Sequence, residues 1–308
     1  MPDPTRSPQP PTLQPPIQLR GVRKSYEKGD ALAGVDWSVP AGSVVGLLGQ
    51  NAAGKTTLIK CALGLVRPTA GEATLLGEPA WELSAGAKAR VGYVPQVISL
   101  YPWMRVRHVV NYTSSFYPRW NERLVDDLLG GGASAGGVPM DERVGNLSVG
   151  TLQKLAIALA LGHEPEVLVL DEPAASLDPA ARRDFLRTLL DIAVDGKRTV
   201  LFSTHITSDL ERVADRVAIL RGGQIAYDGE LDELKDSVKR LHVTSSAPLP
   251  PTFSVPGAVR LRIEGNEALV SVRDVSPQVV EQIRGGYAAT VGVQDLNLEE
   301  IFLELHYA

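Results

Sequence analysis

The chain predicts an α/β fold, with a mainly parallel sheet interleaved by helices and then a second, smaller β/α unit. Three observations carry this expectation. Short apolar runs at 44–48, 91–94, 167–170, 200–202 and 217–220 read as buried strands, and helical patterns at 58–65, 152–161 and 182–193 lie between or beside them. The first of those strands runs straight into Gly49-Gln50-Asn51-Ala52-Ala53-Gly54-Lys55-Thr56, with a helical pattern behind it. Near Lys239 the composition shifts and a new alternation of strand and helix signals begins.

Taken in order, residues 1–16 hold seven prolines and lack the basic-then-apolar design of a signal peptide, so a disordered, partly polyproline tail is expected. Residues 17–238 form the main domain. Strand signals stop between about 97 and 162, where helical candidates at 106–112, 122–129 and 152–161 make a helical insertion. The glycine-rich 130–137 inside it reads as a flexible loop. Tyr101, Pro102, Trp103, Tyr112, Phe116, Tyr117 and Trp120 also fall there; local core outweighs an interface for most of them. Residues 239–308 carry strands at 241–244, 259–263, 268–272 and 289–293 and helices at 279–283 and 298–305, with 245–256 as a linker.

The 308 residues are 44% hydrophobic and 22% charged with a net charge of −5, which argues against a nucleic-acid binder held by bulk electrostatics. The single cysteine, Cys61, excludes a disulfide within the chain and fits a reducing compartment. No run approaches the roughly 20 apolar residues needed to cross a bilayer. A soluble protein, or one peripheral through a partner, is expected.

The stretch from Gly49 to Thr56 has the spacing G-x-x-x-x-G-K-[ST]. A loop that wraps a polyphosphate must turn its backbone N–H groups inward, which glycines at 49 and 54 permit. Lys55 offers an ammonium to the β- and γ-phosphates, and Thr56 a hydroxyl to the bridging Mg²⁺. The helix that starts at about Thr57 points its positive end the same way. Downstream, the apolar strand Val167-Leu168-Val169-Leu170 ends in Asp171 and Glu172. Successive side chains leave a strand on opposite sides, so Asp171 is assigned to the metal shell and Glu172 to the attacking water as general base.

The order of further motifs resembles the ATP-binding cassette (ABC) ATPases. Gln96 follows Val91-Gly92-Tyr93-Val94-Pro95; then come Leu147-Ser148-Val149-Gly150-Thr151, Ser176-Leu177-Asp178-Pro179 and Ser203-Thr204-His205. The resemblance covers about 17–230 and implies a P-loop NTPase of ABC type, with an antiparallel β part and a helical subdomain beside the parallel sheet. It implies that Gln96 senses metal and water, that His205 contacts the γ-phosphate and positions Glu172, and that Tyr26 stacks on adenine. Asn51 and Thr57 join the phosphate cradle. Tyr26 reads equally as a half-buried strand aromatic, and Asp178 as a helix N-cap that also meets an opposite subunit. Ser148 and Gly150 would serve ATP held by a second copy. Val149 and Thr151 replace the family's usual glycine and glutamine, and Ala52 stands where glycine is preferred, tolerable unless a positive φ is required.

The resemblance therefore implies an ATPase using ATP and Mg²⁺, paired with a second ATPase subunit and an integral membrane permease, with no nucleic-acid partner. The ending from Asp295 to Leu305 resembles exporter-type cassettes with a separate permease, and through that permease the chain would sit on the cytoplasmic face of the cell membrane. The alternatives are a soluble repair or translation ATPase, and a nucleotide-gated module without turnover.

Overall fold

The structure is a computed structural model that describes residues 14–27, 29–130, 137–175, 177–193 and 198–306. The expected tail lies outside the described residues up to position 13, as do 131–136 of the glycine-rich loop and Ser176 of the Asp178 motif. The Pro16 carbonyl accepts from Leu76 N at 2.7 Å, which anchors the chain before its first strand.

β1 (Ile17–Tyr26) and β2 (Gly29–Val39) form an antiparallel pair. β3 (Val44–Leu48) leads through the phosphate loop to α1 (Lys55–Ala62), which begins slightly before the expected start at about Thr57. β4 (Ala70–Leu75) and the short β5 (Glu78–Pro79) complete a four-stranded antiparallel sheet in the order β2-β1-β4-β5. After α2 (Ala85–Lys88) and β6 (Val91–Val94) comes the helical block: α3 (Val106–Ser114), α4 (Glu122–Gly130) and α5 (Val149–Leu161).

The chain then returns through β7 (Val167–Leu170), α6 (Pro179–Ala193), β8 (Thr199–Thr204), α7 (Thr207–Val213), β9 (Arg216–Arg221) and β10 (Gln224–Glu230). The main sheet has the order β10-β9-β3-β8-β7-β6, parallel from β9 to β6 with β10 antiparallel at the edge. Alternation splits each central strand between two cores. Val44, Leu48, Leu168, Leu170 and Phe202 pack toward α5, α6 and α7, while Val45, Leu47, Val167, Val169 and Leu201 pack toward α1 and the antiparallel sheet. Cutting one such leucine to alanine costs about 2–5 kcal/mol, so the strand ends form a fixed platform for side chains.

α8 (Leu231–Ser237) buries Leu231 and Leu234 in the main core, and the last unit then comprises β11 (Val238–Ser245), β12 (Ala258–Glu264), β13 (Glu267–Arg273), α9 (Pro277–Tyr287), β14 (Ala289–Asp295) and α10 (Leu298–His306). Its sheet is antiparallel, in the order β12-β13-β11-β14. Residues 245–256 are not a loose linker: Leu249, Phe253 and Val255 are buried in this unit, and the Phe253 ring stands edge-on to Tyr287 at 5.0 Å. Nor does α10 stay within the unit. Leu298 and Ile301 bury into the main core with Leu210 and Val213, while Arg240 binds Glu300 and Glu304, each at 2.9 Å.

The aromatic block divides against the expected balance, because Trp103 and Phe116 are 68% and 65% exposed, and Tyr101 and Tyr112 are exposed beside them. Tyr117 and Trp120 alone pack inward, the former stacked on His163 at 4.0 Å. No helix among the described residues is long and apolar enough to cross a membrane.

Candidate nucleotide site

The phosphate loop is shaped by close backbone approaches. A Cβ at Gly49 would come 2.8 Å from the Leu220 carbonyl oxygen, and one at Gly54, where φ is +103°, would come 2.4 Å from that of Ala31. Side chains are excluded at both positions. Ala52 has φ 66°, so the positive φ is required here, and alanine holds it at a cost of roughly 1–2 kcal/mol. Asn51 is exposed in the loop, and Thr57 is half-buried in the first turn of α1. Lys55 is only 4% exposed, and its Nζ donates to Gly49 O at 2.8 Å and Gln50 O at 3.1 Å. The same Nζ lies 2.9 Å from Glu172 Oε1.

The two carboxylates lie just beyond the end of β7, outside its alternation, and take different partners. Asp171 is fully buried; its Oδ1 accepts from Thr56 Oγ1 at 3.2 Å and Ser203 Oγ at 2.7 Å, and its Oδ2 has no partner. Glu172, at φ 46°, swings the other way. Its Oε2 lies 3.3 Å from His205 Nδ1 and 3.5 Å from Gln96 Nε2. Gln96 follows β6 and His205 follows β8, so the strand ends on either side of β7 converge on one carboxylate. Ser203 was not assigned a role from sequence: its Oγ accepts from Glu172 N at 2.8 Å while donating to Asp171, so one hydroxyl fixes both acids. On β6, burial, and then the Asp171 charge, pushes the Tyr93 phenol up to about 12, so it stays neutral beside the site.

Tyr26 ends β1 opposite Gly29, in the hairpin whose Ala31 carbonyl abuts Gly54. It is half exposed, with Lys24 Nζ 5.2 Å from its ring centre. Asp178 caps α6: its Oδ1 accepts from Ala180 N at 2.9 Å and Ala181 N at 3.0 Å. Those bonds, Ala181 first, hold its carboxyl below the usual range.

Ser148 and Gly150 stand apart from this group. Among the described residues no hydrogen bond or ion pair joins them to 49–56; Ser148 caps α5, with its Oγ accepting from Thr151 N at 3.2 Å. A Cβ at Gly150 would meet only Ala181 Cβ at 3.4 Å and Leu177 Cδ2 at 3.8 Å, ordinary contacts, so the chain's own packing does not demand glycine there. Val149 between them is 56% exposed.

Comparison with known proteins agrees with this geometry. The ABC transporter family model matches residues 32–175. The Nod factor export ATP-binding protein I of Burkholderia orbicola (strain AU 1054) is 34% identical over 298 residues, spanning 94% of this chain and 96% of that protein. An uncharacterized ABC transporter ATP-binding protein of Bacillus subtilis (strain 168), YxlF, is 34% identical over 221 residues, 71% of this chain and 72% of its own. Among solved structures, the ATP binding subunit of an ABC transporter superposes with a TM-score of 0.61 at 25% identity, covering 71% of this chain and 92% of that one. A bacterial Atm1-family ABC exporter with ATP bound gives a TM-score of 0.61 at 27% identity, over 72% of this chain and 40% of that one. Side chains converging on Glu172 at the strand ends, a phosphate loop beside them and a relative matched along nearly its whole length lead to one assignment: the chain belongs to the ATP-binding proteins of the ABC transporter family.

Proposed function

We propose that this chain hydrolyses ATP as one of two cassettes that power a membrane exporter. The observation that carries the reading is the convergence of Lys55, Gln96 and His205 on Glu172, beside an Asp171 oxygen that is buried without a partner. Mg²⁺ fits that orphan oxygen: Thr56 and Asp171 would hold it, directly or through water, with Gln96 at its edge, and it would neutralise charge on the phosphates. Lys55 and the N–H groups of Gly49, Asn51, Gly54 and Thr57 bind and orient the triphosphate, and Tyr26 offers a ring to the adenine. Glu172 orients water and takes its proton, and His205 holds that carboxylate in place.

Ser148 and Gly150 then complete the site on a second copy, with Asp178 at the same junction, so that ATP joins two cassettes and hydrolysis lets them part. A membrane permease supplies what the motor moves, which would place the chain on the cytoplasmic face of the membrane. The exposed Tyr101, Trp103, Tyr112 and Phe116 give a permease an apolar surface to grip. Support for export comes from the relatives named for Nod factor export, which match the C-terminal unit as well as the cassette.

The test is Glu172→Gln, which is expected to lower ATP turnover by about 100-fold or more while letting the protein dimerise in ATP. Turnover equal to that of the parent would overturn the assignment of the base. Recovery of a multi-span polypeptide with the chain from native membranes checks the transport step, and a pool found only on ribosomes or DNA would refute it.

A further inference from the structure

The head of α5 carries a bond between two hydroxyls, with Thr151 standing where this family usually has glutamine. Ser148 Oγ accepts from Thr151 N at 3.2 Å and lies 2.8 Å from Thr151 Oγ1, a separation at which one hydroxyl must donate to the other. A serine hydroxyl has two acceptor sites and one proton. The Thr151 N–H takes one acceptor site. If the Thr151 hydroxyl donates into the second, the Ser148 proton is left with no partner inside the turn and can point outward. If Ser148 donates instead, its proton is used up within the turn.

An anion in front of the helix selects between these arrangements. The outward proton makes a charge-assisted bond, and a chain from Thr151 hydroxyl to Ser148 hydroxyl to anion polarises each link in the same direction. The surroundings fit an outward-facing donor: Val149 is 56% exposed, and Gly150 presents backbone where its own fold would accept a methyl.

We infer that Thr151 is a positioning residue: it donates its hydroxyl to Ser148 Oγ and so polarises the Ser148 proton toward the terminal phosphate of a nucleotide held by a second copy of the chain. This rests on the reading above that Ser148 meets that nucleotide. Thr151→Val keeps the side-chain shape and the capping N–H but removes the hydroxyl, whereas Thr151→Ser keeps the hydroxyl.

In full-length protein carrying Glu172→Gln, dimer dissociation at saturating ATP is read by analytical ultracentrifugation. Thr151→Val is expected to weaken the dimer about fivefold, since the bond within the turn exists in the unpaired chain too and each of the two sites loses only its polarising share of the Ser148–phosphate bond. Thr151→Ser should restore it to within about twofold. Added to Ser148→Ala, Thr151→Val should weaken pairing no more than about twofold further, because its effect passes through the Ser148 oxygen. A valine variant that dimerises like its parent overturns the inference alone, and so does a valine effect that persists undiminished on Ser148→Ala. A parent that stays monomeric in ATP overturns the two-copy reading and takes the inference with it.

Discussion

Lys55 and Asp171, on the phosphate-loop side, are 4% and 0% exposed, and their bonds tie together the phosphate loop, the end of β7 and the end of β8. On the side of Ser148 and Gly150, Val149 is 56% exposed and, among the described residues, the Ser148 side chain bonds only within the first turn of its own helix. The first region is assembled by the fold and serves the fold as well as the nucleotide. The second is presented by the fold, which gains little from it beyond a helix cap. Stability and function should therefore fail together on one side and separately on the other.

The largest effect belongs to Lys55→Met. It removes the cation from a carboxylate that is 8% exposed, and breaking such a buried pair costs about 3–5 kcal/mol. His205 and Gln96 remain near Glu172 and soften the loss, so a fall of about 3 kcal/mol in urea unfolding is expected together with loss of nucleotide binding. Full stability without binding would show that the buried pair contributes nothing to the fold.

Gly150→Ala tests the other side. Gly150 is the second residue of α5, where glycine costs less than the roughly 1 kcal/mol of a helix interior, and the added methyl meets only ordinary contacts, so the isolated chain should hold or slightly gain stability. ATP-driven pairing should nevertheless weaken by about tenfold, which corresponds to 1.4 kcal/mol of lost close approach. Pairing equal to that of the parent would remove Gly150 from the interface.

These two regions also differed in how far the sequence announced them. Loop spacing, strand end and paired acids placed Lys55, Asp171 and Glu172 because each chemistry is local in sequence. Ser203 is a polar residue in an apolar strand, and its role follows only from register: Leu170 pairs with Phe202, which sets Asp171 beside Ser203. β1 and β2 escaped the periodicity because a register shift between Leu19 and Val22, around Gly21 at φ +57°, breaks the alternation of Ile17, Leu19 and Val22. The exposure of Trp103 and Phe116 was equally hidden, since an aromatic run reads the same whether it faces in or out. That α10 closes the main core as well as the last unit depends on tertiary packing, which no local pattern records.

A smaller effect lies in the loop itself. Ala52 holds a left-handed conformation at φ 66°, so Ala52→Gly relieves roughly 1–2 kcal/mol of strain, while the extra freedom of glycine in the unfolded chain takes back about 0.5–1 kcal/mol. A net gain of about 0.5 kcal/mol is expected in urea unfolding. A loss instead would mean that the alanine methyl packs usefully against the loop.

The smallest expected effect sits at the seam between the two regions. His163 follows the far end of α5, stacks on Tyr117 at 4.0 Å, and places Nε2 3.2 Å from the Val91 carbonyl at the start of the strand that carries Gln96. Its Nδ1 is buried without a partner, so a second ring proton would have no acceptor. Burial pushes the ring's pKa below 6.5, and the Val91 bond opposes that only in part. Because the folded value is the lower one, the stability tied to neutral His163 is fully present above the unfolded value and is lost as pH falls through the folded one. His163→Phe keeps the stack but cannot titrate. Its stability deficit against the parent, read by urea unfolding, should therefore narrow between pH 7.5 and pH 5, roughly the range in which histidine charge changes. Equal pH slopes in the two proteins would show that the seam carries no titrating load and that any pH dependence arises elsewhere.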